Sequence, residues 1–272
     1  MNLKNFKNKS VGLVLSGGGV KGIAHIGLIQ ALNEYGIQAN CVSGTSVGAL
    51  VGALYANGNS VLEMTSFFKK VPLFQYQFFA RHKPGLFDTE KYIPIFKQYF
   101  PENRFEKLRR KLFVTTTNLQ KGEQEQFSSG ELIRPLLASA ALPPVFSPIE
   151  INDYLYADGG IMNNFPIESL AGQCDFTIGS NVSVVREVGK ESIRTSLQLA
   201  GRTTSLMIYA INLEKIKECD LVFEPKELDK IGVLDKKGME RAYAIGYGHA
   251  IKILKREFGQ QPMVGRSIPG RG

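Results

Sequence analysis

The sequence predicts an α/β protein with a mainly parallel central sheet, and two strand–turn–helix units near its amino end carry the prediction. In the first, the compact apolar run Ser10-Val11-Gly12-Leu13-Val14-Leu15 reads as a buried parallel strand. It enters a glycine turn, and a helix follows from about Ile23 to Tyr35, with Ile26, Ile29 and Leu32 on its apolar stripe and Gly36 at its end. In the second, Ala39–Ser43 reads as a strand and Ala49–Tyr55 as a helix rich in small residues, with Gly44-Thr45-Ser46-Val47-Gly48 between them. Lys111–Asn118, Asp175–Asn181 and Leu221–Glu224 supply further strands, and Glu191–Lys217 and Gly238–Phe258 further helices.

The texture changes from Ser60 to Phe100. Phe67, Phe68, Phe74, Tyr76, Phe78, Phe79, Phe87, Tyr92 and Phe96 lie among lysines and arginines, punctuated by Pro72 and Pro84-Gly85. Two or three short helices with a loop fit this stretch, and two uses stay open. One is an apolar cover that meets lipid and opens over a site; the other is a helical cap with its aromatics packed inward. Beyond it, Glu125–Phe127 pairs near the strand 111–118, and Ser128-Ser129-Gly130-Glu131 has the spacing of a capping box opening a helix over Leu132–Ala141. Phe146–Ile151 and Tyr154–Ala157 read as a hairpin around Asn152-Asp153 that delivers Asp158-Gly159-Gly160. With no repeat, low-complexity tract or linker, one domain over residues 1–258 is the simplest account, followed by a polar, glycine-rich tail, 259–272, expected to be disordered.

Composition narrows the class. The 272 residues are 43% apolar and 21% charged, as in an ordinary globular protein. Three widely spaced cysteines, Cys41, Cys174 and Cys219, argue against a disulfide framework or a zinc site and fit a reducing compartment. The apolar run after the lysine-bearing amino end is short and breaks at Ser16-Gly17, so neither a signal peptide nor a membrane span is expected, and the expected location is cytoplasmic. The net charge of +8, with basic residues crowded between Lys69 and Lys111, suits peripheral contact with an anionic inner membrane face, a nucleic acid, or simply a solvated basic face.

Chemistry concentrates in three glycine-bearing turns. A serine between two glycines at a strand-to-helix turn is a nucleophile-elbow arrangement, in which Gly44 and Gly48 leave room for a tight turn that lifts the Ser46 hydroxyl out of the backbone. Gly17-Gly18-Gly19-Val20-Lys21-Gly22 satisfies a dinucleotide fingerprint, but that use needs a carboxylate at the end of the second strand, and Val42-Ser43-Gly44-Thr45-Ser46 holds none. The alternative use is an oxyanion hole, built from consecutive amides with no side chains in the way. Asp158, at a strand end beside Gly159 and Gly160, can be held tightly against neighbouring backbone, although an Asp-Gly-Gly on its own is usually just a turn. The chain order Ser46, Asp158, His249 also admits a triad, although His249 falls within the last helix.

The turns at Gly17–Gly22, Gly44–Gly48 and Asp158–Gly160, with Ala138-Ser139-Ala140-Ala141-Leu142-Pro143-Pro144 ahead of the aspartate, together resemble the patatin-like phospholipases, bacterial acyl hydrolases similar to the plant storage protein patatin. The resemblance runs from about Val11 to about Gly248. It implies a three-layer α/β/α sandwich, a catalytic dyad of Ser46 and Asp158, and an oxyanion hole from the amides of Gly17, Gly18 and Gly19. Lys21 stands where the family pattern carries a basic residue, often arginine, and Gly22, Gly44, Gly48, Gly159 and Gly160 complete the motifs. The implied activity is cleavage of lipid acyl esters, of the phospholipase A or lysophospholipase type. The alternatives are a lipid transacylase and a membrane-associated regulatory protein with weak activity. No metal-ligand spacing is visible, so neither cofactor nor metal is expected, and no nucleic-acid partner.

Overall fold

The computed structural model describes residues 9–71 and 78–259. Its strands are β1 (Val11–Leu15), β2 (Cys41–Thr45), β3 (Lys111–Asn118), β4 (Glu123–Phe127), β5 (Ile149–Ile151), β6 (Tyr154–Asp158), β7 (Phe176–Ser180) and β8 (Leu221–Phe223). They form one sheet in the order β5-β6-β3-β2-β1-β7-β8, with β4 also paired to β3. The four pairings that join β3, β2, β1, β7 and β8 are parallel, while β4, β5 and β6 attach antiparallel. The helices are α1 (Ile23–Glu34), α2 (Val47–Asn57), α3 (Val61–Lys70), α4 (Ile93–Tyr99), α5 (Ile133–Ser139), α6 (Ser196–Ile216) and α7 (Met239–Phe258).

Successive side chains of a strand point to opposite faces, and here both faces are apolar. Leu13, Leu15, Val42, Leu112 and Val114 join the main core on one side. Val14, Cys41 and Phe113 turn to the other, where Phe165, Ile167 and Leu170 cover them. The sheet is thus the middle of three layers. On the main-core side α1 lies so close to α7 that a methyl on Gly27 would strike the Tyr243 carbonyl, and one on Gly246 the Ala24 carbonyl. The expected apolar stripe of α1 is accordingly wider than predicted, with every residue from Ile23 to Ile29 buried.

Several boundaries differ from the sequence reading for identifiable reasons. β2 runs two residues later than Ala39–Ser43, because its ladder continues through Gly44 opposite Leu15 and Thr45 opposite Thr115. α6 begins at Ser196 instead of Glu191, where Thr195 and Gln198 form a capping box. The capping box expected at Ser128–Glu131 does not form. The first amide of α5, on Ile133, is taken by Asn103 Oδ1 at 2.8 Å, and Glu131 instead pairs with Asn103 Nδ2 and Arg134. The box that does form nearby belongs to Ser60 and Glu63, opening α3.

Of the aromatics between Ser60 and Phe100, Phe67, Phe68, Phe78, Phe87, Tyr92, Phe96 and Phe100 are buried, and the Phe67 ring packs edge-on to Phe68, Phe96 and Tyr99. This is the inward-packed arrangement, with Phe79 the half-exposed exception. Pro72, Phe74 and Tyr76 lie outside the described residues, as do residues 1–8 and 260–272. No helix among the described residues is long and apolar enough to cross a membrane.

One topological detail places the site. β4 occupies one edge of β3 from Val114 to Asn118, overlapping both the residues that pair with β2 and those that pair with β6. β2 and β6 must therefore share the other edge, meeting end to end: Thr45 lies opposite Thr115 and Asp158 opposite Thr116. The hairpin that turns β6 back into this position uses Asn152 and Asp153 at φ 49° and 64°, the left-handed pair of a two-residue turn.

Candidate active site

Where β2 stops, the chain reverses through Ser46 at φ 55° and ψ −128° into α2. A left-handed serine is strained, and such strain persists only where the surroundings over-determine it. They do so here. The Ser46 amide donates to Ser139 Oγ at 2.8 Å, and Ser139 Oγ donates onward to the Thr115 carbonyl at 2.7 Å. A methyl on Gly44 would meet the backbone of Gly48 and Ala49, and one on Gly48 the carbonyls of Leu15 and Ser16. Both glycines are dictated by backbone crossing backbone.

Because β6 ends against the same register of β3, Asp158 arrives beside the serine. Ser46 Oγ donates to Asp158 Oδ2 at 2.7 Å, and the Gly160 amide donates to Oδ1 at 2.8 Å. The aspartate backbone is held at both ends, its amide by the Ala141 carbonyl and its carbonyl by Thr117 Oγ1. Gly159 follows so tightly that a methyl there would strike the Thr115 carbonyl. Asp158 is only 4% exposed. Burial pushes its carboxyl up to about 6, against the hydrogen bonds from Ser46 and Gly160 that favour the charged form.

The glycine turn after β1 abuts the serine: a methyl on Gly17 would come within 3.2 Å of Ser46 Cβ. Its three amides are not equivalent. Gly17 is buried and its N–H is spent on the Asn164 carbonyl at 3.3 Å. Gly18 and Gly19 are partly exposed, and their N–H groups meet no acceptor among the described residues. Gly19 is left-handed, at φ 58°, and pressed against the Val233 carbonyl. Lys21 is buried beyond the turn with no hydrogen-bond partner among the described residues, its ammonium pulled toward the neutral form by burial and back by Asp229. Gly22 leaves room for the Val47 side chain at the start of α2.

The loop is pinned by a histidine of the first helix. His25 is fully buried, with Nε2 at 2.9 Å from the Ser16 carbonyl and Nδ1 at 2.8 Å from Ser180 Oγ. A carbonyl can only accept, so Nε2 carries the proton and Nδ1 accepts from the serine hydroxyl. Burial lowers its pKa to about 4, keeping the ring neutral. Ser139 stands in the Ala138–Pro144 stretch that carries the family resemblance and Asn164 four residues past Gly160, but neither position reveals in sequence its partner at the site, the Ser46 amide or the Gly17 amide. His249 sits elsewhere: its Nε2 accepts the Glu224 amide at 3.3 Å, and Ser46 spends its hydroxyl on Asp158. Among the described residues no third member for a triad is bonded to this serine or its aspartate. Among the described residues no cluster of His, Cys, Asp and Glu stands together to hold a metal ion.

Fold and site together define a three-layer α/β/α protein with a strained serine bonded to a buried carboxylate beside a glycine turn. A family model described as patatin-like phospholipase matches residues 13–171, more than half of the chain, and the chain belongs to that family. Lysophospholipase nte1 of Aspergillus fumigatus is 32% identical over 197 residues, which cover 66% of this chain and 12% of that protein. Lysophospholipase nte1 of Neurospora crassa is 26% identical over 294 residues, covering 94% and 19% respectively. This chain therefore spans less than a fifth of the length of these curated relatives. Among solved structures, VipD from Legionella pneumophila superposes with a TM-score of 0.58 at 19% identity, over 91% of this chain and 67% of that one, a likeness of fold.

Proposed function

We propose that this chain is a serine acyl-ester hydrolase acting on lysophospholipids and related phospholipids, with Ser46 as nucleophile and Asp158 as its base. The observation that carries the reading is the 2.7 Å hydrogen bond from the strained Ser46 hydroxyl to a buried carboxylate, beside the free amides of Gly18 and Gly19. A base titrating at about 6 is about nine-tenths ionised at neutral pH, yet it is a far better proton acceptor than an ordinary aspartate.

In the first step Ser46 Oγ attacks the ester carbonyl while Asp158 takes its proton, and the carbonyl oxygen gains charge opposite the Gly18 and Gly19 amides and the amino end of α2. Collapse breaks the carbon–oxygen bond, Asp158 returns the proton to the departing alkoxide, and an acyl-serine remains. Water then repeats the sequence, with Asp158 as base and Ser46 as leaving group, releasing the fatty acid.

An apolar cavity of about 90 Å³ suits the acyl chain. Leu50, one turn after Ser46, lines it with Phe67, Phe68, Leu137, Ala140 and Phe146. That is smaller than the ~150 Å³ cavity that accepts a benzene ring, so a long chain must extend further. Phe68 separates it from a second apolar groove of about 260 Å³ between α3 and α7. A larger cleft of about 580 Å³, lined by Asn40, Tyr55, Ser60, Arg109 and Arg110, lies at the opposite end of the strands, where β2 begins, and its Ser60 hydroxyl is spent with Glu63 on capping α3.

The family relation and the names of the relatives, lysophospholipases, support the substrate class. Exposed Lys70, Lys97, Lys107 and Arg109 support peripheral contact with an anionic inner membrane face from a reducing compartment. The test is fatty-acid release from lysophosphatidylcholine. Wild type should release it with or without a calcium chelator, and Ser46→Ala should fall by at least about 10³. A folded Ser46→Ala protein with wild-type rates would overturn the reading.

A further inference from the structure

Two tethers bracket the glycine turn and leave two amides between them. The Gly17 N–H is committed to the Asn164 carbonyl at 3.3 Å, and the Val20 N–H to the Val233 carbonyl at 2.8 Å. Where the Gly18 N–H points is decided by the other half of its own peptide, the Gly17 carbonyl. That carbonyl accepts two hydroxyls, Ser183 Oγ at 2.7 Å and Ser16 Oγ at 3.0 Å. A trans peptide is planar, with its C=O and N–H on opposite sides. Holding the Gly17 oxygen toward Ser183 therefore turns the Gly18 N–H the other way, at a turn that stands against Ser46 Cβ.

Ser183 is in turn aimed by its neighbours. Its hydroxyl accepts from Asn164 Nδ2 at 3.0 Å, which leaves its one proton for the Gly17 carbonyl. Its amide donates to Asn181 Oδ1 at 3.1 Å, and the buried Asn181 donates from Nδ2 to Glu224 at 2.7 Å. Asn164 is itself buried and lies between the two turns of the site. Its Oδ1 fills the space a side chain would need at Gly17 and at Gly160, the residue whose amide holds Asp158. One asparagine thus touches the turn that carries the base and, through backbone and side chain, the turn that offers the amides. Hydrogen bonds in series polarise one another, so a donor on the Gly17 carbonyl also strengthens the Gly18 N–H.

We propose that Ser183, with Asn164 behind it, is a positioning residue of the hydrolase. The chain from Asn164 Nδ2 through Ser183 Oγ to the Gly17 carbonyl fixes the Gly17–Gly18 peptide with its N–H aimed at the oxygen that gains charge on the ester. The proposal rests on the hydrolase reading, and both residues act through the Gly18 amide. A ground-state ester carbonyl carries little charge and the tetrahedral intermediate a full one, so a misaimed amide costs the transition state more than it costs binding.

The test compares the full chain with Ser183→Ala and Ser183→Thr. The alanine variant leaves the Gly17 carbonyl its Ser16 partner, so urea unfolding should stay near wild type. Its kcat on a soluble short-chain ester should fall about tenfold at nearly unchanged KM, less than the loss of an oxyanion amide itself, and the threonine variant, which keeps the hydroxyl, should restore most of it. A second readout reports the peptide directly. With glycine isotope-labelled at carbonyl carbon and amide nitrogen, only glycine–glycine pairs give carbonyl-to-amide NMR correlations, and the sequence has three: Gly17–Gly18, Gly18–Gly19 and Gly159–Gly160. The Gly17–Gly18 correlation should move in Ser183→Ala and return in Ser183→Thr, with Gly159–Gly160 as internal reference. An unmoved correlation, an unchanged kcat in the alanine variant, or a loss seen only in KM or not restored by threonine would overturn the proposal while an active wild type keeps the hydrolase reading. A wild type that cleaves no ester would overturn that reading, and the positioning role with it.

Discussion

Replacing Asp158 by asparagine should remove activity and stabilise the protein at once. Asparagine keeps the shape, and its carbonyl oxygen can still accept the Gly160 amide, so what changes is the charge. A carboxyl that titrates near 3.8 when unfolded and at about 6 when folded costs about 3 kcal/mol of folding free energy on ionising. The sign follows from proton binding. The folded state holds the proton more tightly, so the contribution to stability is fully present below about pH 4 and is lost as pH rises through 6. At pH 8 the wild type therefore carries the whole penalty and Asp158→Asn carries none. Urea unfolding should give the variant an advantage of about 3 kcal/mol at pH 8, shrinking toward zero near pH 4. Ester hydrolysis should fall by at least about 10³, and wild-type kcat/KM should rise with pH through about 6. A variant less stable than wild type at pH 8, or equally advantaged at both pH values, would refute the reasoning.

His249→Ala should retain wild-type esterase rates, since His249 bonds the Glu224 amide and not the serine; loss of activity in the folded variant would restore the triad. Gly19→Ala places a methyl against the Val233 carbonyl at a left-handed position, so the turn must shift, and kcat should drop about 100-fold with little change in circular dichroism. Phe68→Ala joins the two apolar cavities and should raise the ratio of long-chain to short-chain ester hydrolysis, at a cost of about 3 kcal/mol in stability by urea unfolding; an unchanged ratio would remove the cavity from the acyl path.

The parallel strands and the helices behind them were legible because both faces of the sheet are apolar and the turns are glycine-rich. Ser46 and Asp158 were readable as types in motifs, and the structure sets them side by side through a relation no local pattern encodes, the end-to-end meeting of β2 and β6 along β3. The glycine turn shows the limit differently. Three consecutive glycines look alike in sequence, yet Gly17 is committed to Asn164 and only Gly18 and Gly19 keep their amides free among the described residues. The roles of Ser139, His25 and Asn103 show only in three dimensions, for one reason: each acts through a partner far along the chain, Ser46, Ser180 or Ile133. The Ser128–Glu131 spacing misled because a capping box is only as good as the helix start it abuts, and Asn103 had already taken that amide.

The central claim is that Ser46 is a nucleophile activated by Asp158. Reaction with a fluorophosphonate probe, mapped by peptide mass spectrometry, tests it most directly. The account predicts a single adduct on Ser46 in wild type, absent in Ser46→Ala, strongly slowed in Asp158→Asn and unaffected in His249→Ala. A folded wild-type protein that takes no label at Ser46, or that labels equally well without Asp158, would contradict it.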